Sequence, residues 1–386
     1  MSATFSISFP ERVFVGAGIS GNMAEYASIL LAKKAALVTD MSLYKLGMTA
    51  KIEKSLKDNG IDTLVINDIN GEPTTEEAQA VFEKVRDFKA DIIIALGGGS
   101  VIDVVKVAAL LFKNGEGNIY NLFPAGSVKN FPMKTIIIPT TAGTGAETTQ
   151  NAIFIDSRTG RKESVISPLM LPSIVIIDPE LTVGLPKFVT AFSGMDAFAH
   201  CAECYIGKKN NPFSEFYALK GVELIAKNIR IAYNDPGNLD ARVAMQIGAM
   251  YGGTAIAAAG TTAVHALAYP LGARFHVPHG VSNAMLLPSV FEYSMDAMED
   301  KLAVMGKYMG LDVEGKSASE AARLTIDELY KFNADLGIPT KLQEYGVKPE
   351  DVDILVEEGM AVRRLLDNNP KEVTKEAATK LYKGLF

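Results

Sequence analysis

The chain has four histidines in 386 residues, and three of them, His265, His276 and His279, lie in one segment, GTTAVHALAYPLGARFHVPHG, residues 260 to 280. The fourth, His200, follows Asp196 by four residues in SGMDAFAHCAECY, a spacing that stacks both side chains on one face of a helix. A carboxylate and an imidazole so placed can be two ligands of one divalent ion; the same spacing also makes an ordinary hydrogen-bonded Asp–His pair at a surface. Two of the clustered histidines joining this pair would give one carboxylate and three imidazoles. Such an N/O donor set suits Fe(II), Zn(II) or Mn(II) and requires no thiolate.

A second kind of chemistry is written in glycine and threonine. DIIIALGGGSVIDVVK reads as a buried strand running through Gly97, Gly98 and Gly99 into a helix that starts near Ser100. Glycine lets the backbone approach a phosphate, and the free N–H groups of a helix start favour an anion, although the same turn can serve packing alone. IIIPTTAGTGAETT repeats the design, an apolar strand ending in Thr140, Thr141 and Thr144. A third strand, KKAALVTD, ends in Asp40, which can bond both hydroxyls of an adenosine ribose and repel the extra phosphate of NADP, or simply cap the next helix.

These residues need elements to position them. Before residue 180, short apolar runs such as DTLVIND, ADIIIALGG, MKTIIIPTT and PSIVIIDP alternate with helical stretches such as TEEAQAVFEKVRDF, the pattern of a parallel sheet covered on both faces. After it, long helix-compatible segments dominate, among them PFSEFYALKGVELIAKNIRIAYND and SASEAARLTIDELYKFNADLG. The reading is an α/β, Rossmann-like N-terminal domain over 1–180 and an all-α domain over 181–386, packed around a shared cleft. Prolines 168, 172, 179 and 186 crowd the join.

Composition narrows the function classes. The net charge is −7 with no lysine or arginine run, which excludes an electrostatic footprint for nucleic acid. The N-terminus lacks the pattern of a signal peptide, and the longest apolar runs are strand-length, too short to span a membrane. Two cysteines imply no disulfide framework and a cytoplasmic setting.

Together GGGSVIDVVK, IPTTAGTGAE, GMDAFAHCAECY and VHALAYPLGARFHVPHGVSNAMLLP resemble the iron-containing (group III) alcohol dehydrogenases, and the resemblance runs essentially end to end. It implies a dinucleotide-binding α/β domain, a helical metal-binding domain, and hydride transfer between NAD(H) and a small alcohol or aldehyde. The implied metal ligands are Asp196, His200, His265 and His279, which leaves His276 as the extra histidine. The implied cofactor residues are Asp40, Gly97, Gly98, Gly99, Ser100, Asp103, Thr140, Thr141, Thr144 and Lys162. Asp103 also reads as a first-turn acid on a helix dipole, and Lys162 as a solvated lysine. A homodimer is a further expectation of the family, with the N-terminal strands in contact.

One position departs from the pattern. Many members carry a second histidine four residues after His265, where this chain has Tyr269, a poorer proton shuttle at neutral pH. His276 or Tyr269, with a water chain, is the expected relay. The tyrosine form resembles a subgroup acting on small aldehydes with an acidic tail, such as 4-hydroxybutyrate dehydrogenases, and Arg274 is the sequence candidate for holding a carboxylate or sulfonate. Cys201 and Cys204 form a CxxC that packing explains better than redox chemistry. Zinc-dependent glycerol dehydrogenases and dehydroquinate synthases share the two-domain plan, and a non-catalytic nucleotide-binding protein is the alternative from another class.

Overall fold

The structure, a computed structural model, describes residues 5–386; the first four residues of the segment read for a leader lie outside it. The chain divides into two compact units, one of residues Ser8–Thr141 with Gly145–Gly184, the other of Leu185–Phe386 with the residues up to Ile7 and Ala142–Thr144.

In the first unit the apolar runs become six parallel strands, β1 (Arg12–Val15), β2 (Lys34–Asp40), β3 (Asp62–Ile69), β4 (Ile92–Gly97), β5 (Lys134–Pro139) and β8 (Ile174–Ile177), in the order β1-β8-β5-β4-β2-β3. Its helices are α1 (Met23–Ile29), α2 (Met41–Lys45), α3 (Ala50–Asp58), α4 (Thr75–Phe88) and α5 (Gly99–Leu111). Successive strand residues enter opposite cores. Ala36, Val38, Ile93 and Ala95 pack with residues of α4 and α5, while Ala35, Leu37, Ile92 and Ile94 pack with those of α1 and α3. This is why the strands read as unbroken apolar runs: both faces are buried.

The strand order reverses between β2 and β4, with β3 outside β2 and β5 and β8 beyond β4. A parallel sheet opens a crevice at the carboxyl ends of its strands at such a point. Asp40, Gly97 and Pro139 end the neighbouring parallel strands β2, β4 and β5 on that edge.

A hairpin of β6 (Asn151–Ile155) and β7 (Lys162–Ile166) is not anticipated by the sequence reading. Its inward residues, Ala152, Phe154 and Val165, alternate with half-exposed neighbours over strands of only five residues each, too short a run to stand out from loop.

The second unit is helical: α6 (Lys187–Ile206), α7 (Pro212–Asn234), α8 (Leu239–Ala259), α9 (Ala263–Phe275), α10 (His279–Ser294), α11 (Glu299–Met309), α12 (Ala318–Asp335), α13 (Val352–Ala361), α14 (Arg363–Leu366) and α15 (Lys375–Lys383). α6 is buried continuously from Ser193 to Ile206, with α7, α8 and α10 packed around it. Glycines permit that closeness. A Cβ on Gly221 would fall 2.3 Å from Cys201 Sγ and one on Gly248 2.6 Å from Ile225 Cγ1. Cys201 and Cys204 are buried free thiols, and burial pushes both well above the ordinary thiol pKa, as packing residues require. Among the described residues, no helix is long and apolar enough to cross a membrane.

Candidate functional site

α6 presents Asp196, His200 and Glu203 at successive spacings of four and three residues, and all three are buried. A buried polar face on a helix otherwise lined with Ala, Phe, Cys and Met needs partners, because an unsatisfied polar group in the core costs ~1–3 kcal/mol. α9 and α10 supply them. His265 lies in the first turn of α9, and His279 is the first residue of α10.

Glu203 organises the entry to α9. Its Oε1 accepts from Thr262 N at 2.9 Å, Thr262 Oγ1 at 2.7 Å and Val264 N at 3.0 Å, so a side chain from α6 caps the start of α9. Its other oxygen is hydrogen-bonded to His265 Nδ1. Burial disfavours charge on both partners, but their mutual attraction outweighs it. Glu203 is held below the usual carboxylate range and His265 above the usual imidazole range. With Nδ1 so engaged, Nε2 is the ring nitrogen left to face the other donors.

His279 reaches the group because Gly280 follows it. A Cβ at Gly280 would lie 2.2 Å from the Phe192 carbonyl oxygen, so only glycine lets α10 start so close to α6. His279 Nε2 lies 3.7 Å and His200 Nε2 3.8 Å from Asp196 Oδ1. One ligand atom from each of Asp196, His200, His265 and His279 lies within 4.8 Å of all the others. Asp196, His200 and His265 are buried, whereas the His279 side chain is 41% exposed, so access is from the His279 side.

The electrostatics match the geometry. Burial opposes charge on Asp196, but the imidazoles of His200, His279 and His265 and the Asn283 amide outweigh it, and the carboxyl sits below its ordinary range. Burial lowers the His200 pKa despite the neighbouring Asp196. Asn283 Nδ2 lies 2.7 Å from Asp196 Oδ1 and 3.1 Å from Nε2 of both His265 and His279. One donor group thus points at three convergent lone pairs. A carboxylate and three imidazoles converging in this way fit a divalent cation.

Tyr269 stands one turn beyond His265, half-buried, with its ring 6.0 Å from that of His279. Burial raises its hydroxyl pKa, with the positive charge of Arg364 acting against it. His276 is exposed at the left-handed turn that ends α9, with φ at 54°. Arg274 is exposed and forked onto Glu358, with Nε 2.8 Å from Oε2. A substrate anion would therefore have to displace that carboxylate.

In the α/β unit, Asp40, the Gly97–Ser100 turn, Thr140 and Thr141 lie at or just after the carboxyl ends of β2, β4 and β5, where the sheet order reverses. Gly97 closes β4; a Cβ there would meet Val101 Cβ at 2.6 Å, so the turn into α5 tolerates no larger residue. Gly98 precedes α5 in extended conformation, and no side chain caps the start of the helix. Gly99 and Ser100 form its first turn. Thr140 N donates to Gly97 O at 3.0 Å, tying the two loops together, and Thr141 lies beside Gly98. Asp40 accepts from Leu43 N at 2.9 Å and is the N-cap of α2, which leaves its second oxygen free of that bond.

Other sequence candidates have structural partners. Asp103 accepts from Ile153 N at 3.0 Å, pinning β6 to α5, and burial pushes its pKa up to about 6. Lys162 pairs with Glu72 at 2.7 Å on the hairpin, and Thr144 belongs with the helical unit. Sequence reading missed a buried lysine: Lys106 Nζ donates to Ala146 O at 3.0 Å, Thr149 Oγ1 at 2.9 Å and Asn151 O at 2.6 Å, and so shapes the loop after Gly145. It also missed Glu203 and Asn283. Both carried a readable signal, since Glu203 is three residues after His200 and Asn283 four after His279, on the same helical faces.

Comparison with known proteins adds to this. The profile of the iron-containing alcohol dehydrogenases matches residues 10–179, and that of the C-terminal part of the Fe-containing alcohol dehydrogenase family matches residues 190–386. Long-chain-alcohol dehydrogenase 1 of Geobacillus thermodenitrificans is 33% identical over 98% of this chain and 96% of its own. The crystal structure of a 1,3-propanediol oxidoreductase superposes with a TM-score of 0.95 at 32% identity, covering all of both chains. Sulfoacetaldehyde reductase from Bifidobacterium kashiwanohense, solved with NAD+, superposes with a TM-score of 0.89 at 25% identity over 100% of this chain and 99% of that one.

Proposed function

The chain belongs to the iron-containing alcohol dehydrogenase family, and from that premise we propose that it is an Fe(II)-dependent, NAD(H)-linked alcohol dehydrogenase and aldehyde reductase acting on small substrates. The observation that carries the reading is the convergence of Asp196, His200, His265 and His279. It is supported by relatives whose names are those of alcohol dehydrogenases and aldehyde reductases, one of them solved with NAD+.

In this reading Asp196, His200, His265 and His279 hold the ion. When bound, Fe(II) supplies a Lewis acid that lowers the pKa of the substrate hydroxyl and polarises the carbonyl in reverse, and NAD+ supplies the hydride acceptor. Glu203 keeps the proton on His265 Nδ1, and Asn283 orients Asp196 through its 2.7 Å bond. Tyr269, with its pKa raised, stays protonated beside His279, and it and the exposed His276 are the two candidates for the proton relay. Gly97 to Ser100, Thr140 and Thr141 carry the pyrophosphate, and Asp40 selects NAD over NADP. Asp103, Thr144 and Lys162 remain assigned to the cofactor, with Asp103 and Lys162 acting through the loop and hairpin that they brace. Two free buried thiols are in keeping with a cytoplasmic setting, and the open edge of β1 is the surface for a homodimer.

The test is anaerobic NADH oxidation with short aldehydes by Fe(II)-loaded protein. Turnover that disappears in His265→Ala, with NAD+ binding retained, is the expected result. Equal turnover in that variant would overturn the metal assignment, and activity with Zn(II) but none with Fe(II) would move the chain toward the zinc-dependent reading.

A further inference from the structure

Pro270 lies inside α9, the helix that presents His265. Proline has no N–H, so the carbonyl of Ala266, the residue after His265, loses the helical partner four positions on. The ladder of α9 is thus a bond short in the turn that follows His265, and that turn draws on support from outside the helix.

The support comes from the C-terminal segment. Tyr382 of α15 is fully buried, and its hydroxyl donates to Leu267 O at 2.6 Å. Gly359 of α13 leaves room for this contact: a Cβ there would lie 3.2 Å from the Tyr382 hydroxyl oxygen and 3.0 Å from Leu267 Cδ2. On the other side of His265, Asn368 holds the chain that enters α9. Asn368 is buried, and its Nδ2 lies 3.1 Å from Ala259 O, 3.3 Å from Gly260 O and 3.0 Å from Thr261 O, in a turn where Gly260 has a φ of 72°. Asn368 is itself anchored just past the end of α6, where its Oδ1 accepts from Lys209 N and its carbonyl from Lys208 N, both at 2.9 Å. His265 therefore sits between two holds on its own backbone, one at 259–261 and one at Leu267, both made by the chain that follows α14.

A ligand whose backbone is fixed before and after it keeps its place without help from the ion. We infer that Tyr382 and Asn368 are positioning residues of the candidate metal centre: they act through His265, and the order of the C-terminal segment is coupled to metal binding. Such coupling is reciprocal, so an ion that gains from the two holds also strengthens them. The inference rests on the proposed site at Asp196, His200, His265 and His279.

The experiment uses the full chain, stripped of metal with a chelator and titrated with Zn(II) or Co(II). Tyr382→Phe removes one hydroxyl and keeps the ring, and Asn368→Ala removes the hold on the three carbonyls. Tyr293→Phe is the control. The Tyr293 hydroxyl donates to Glu372 O at 2.6 Å, so this variant frees the same C-terminal segment at a contact made with α10 instead of α9. Zn(II) affinity, read by competition with a chromophoric chelator, should fall about tenfold or more in Tyr382→Phe and Asn368→Ala, as for groups that orient a ligand from outside. It should stay at the wild-type value in Tyr293→Phe. The d–d bands of the Co(II)-loaded protein should change in the first two variants and match wild type in the third. In wild type, Zn(II) should slow hydrogen exchange of the α15 amides, a measurement that needs no variant to fold, and Tyr382→Phe should lose that slowing.

The inference falls if Tyr382→Phe loses stability while its Zn(II) affinity and Co(II) bands stay those of wild type. It falls equally if Tyr293→Phe loses as much affinity, or if Zn(II) leaves exchange in wild-type α15 unchanged. Failure of wild type to bind either ion, or binding that His265→Ala leaves intact, would instead overturn the proposed metal site itself.

Discussion

Glu203 and His265 are hydrogen-bonded in full burial, carboxylate oxygen to Nδ1, and the same carboxylate caps the helix on which His265 rides. One α6 residue therefore sets both the position and the tautomer of a candidate ligand. Glu203→Gln keeps the shape but cannot stabilise the ring in the same way. Affinity for Fe(II) or Zn(II), read by competition with a chromophoric chelator, is expected to drop about 10- to 100-fold. If affinity is unchanged and only Tm falls, Glu203 is a helix cap and nothing more.

Gly280→Ala tests the close approach of α10 to α6. The added Cβ would need 2.2 Å to the Phe192 carbonyl, which real contacts do not allow, so the start of α10 must move and carry His279 away from Asp196. Stability should fall by about 1–3 kcal/mol, the usual cost of overpacking, and bound metal should be lost with it. Full metal content in the purified variant would show that the helix start can yield without displacing His279.

Asp40 joins two roles that a single substitution separates. Serine at this position still caps α2, whereas the carboxylate that would repel a 2′-phosphate is gone. Asp40→Ser should shift the ratio of kcat/KM for NADPH over NADH upward by about tenfold or more, with the stability held within about 0.5 kcal/mol of wild type. An unchanged ratio would assign Asp40 to the cap alone.

The buried acids around Lys106 make stability depend on pH. Burial pushes Glu147 from 4.5 up to about 7, with Lys106 acting against it, and Asp103 from 3.8 up to about 6. A carboxyl with a higher pKa folded than unfolded binds more protons in the native state, so stability falls as pH rises from about 4 through 7. In Glu147→Gln the slope over that window should be shallower by up to one proton, leaving the variant on the order of 2 kcal/mol better off at pH 8 than the pH 5 comparison predicts. Parallel Tm curves for variant and wild type between pH 5 and 8 would place the titration elsewhere.

Much of the architecture was legible because it follows from short-range rules. Buried parallel strands must be apolar on both sides, and DIIIAL, MKTIIIP and PSIVIID say so; a 3.6-residue repeat over long segments marks α7 and α12. The hairpin of β6 and β7 escaped because its strands are brief and half-exposed. Lys106 escaped for a different reason: a buried lysine is recognised only by the carbonyls that surround it, and those come from residues 146 to 151, some forty positions away.

The amino-acid sequence by itself determined which groups exist and how they repeat along each helix: the Asp196–His200 pair, the clustered histidines, the glycine turn after β4 and the acid ending β2. Spacing within one helix is fixed by 1.5 Å of rise per residue, so it can be read without coordinates. Tertiary structure alone decided which groups meet. It joined Glu203 to His265 and Asn283 to Asp196, left His276 at an exposed turn and paired Arg274 with Glu358. Those pairings depend on how α6, α9, α10 and α13 pack, and packing is set by the fit of side chains and glycines from distant segments, information that no local pattern carries.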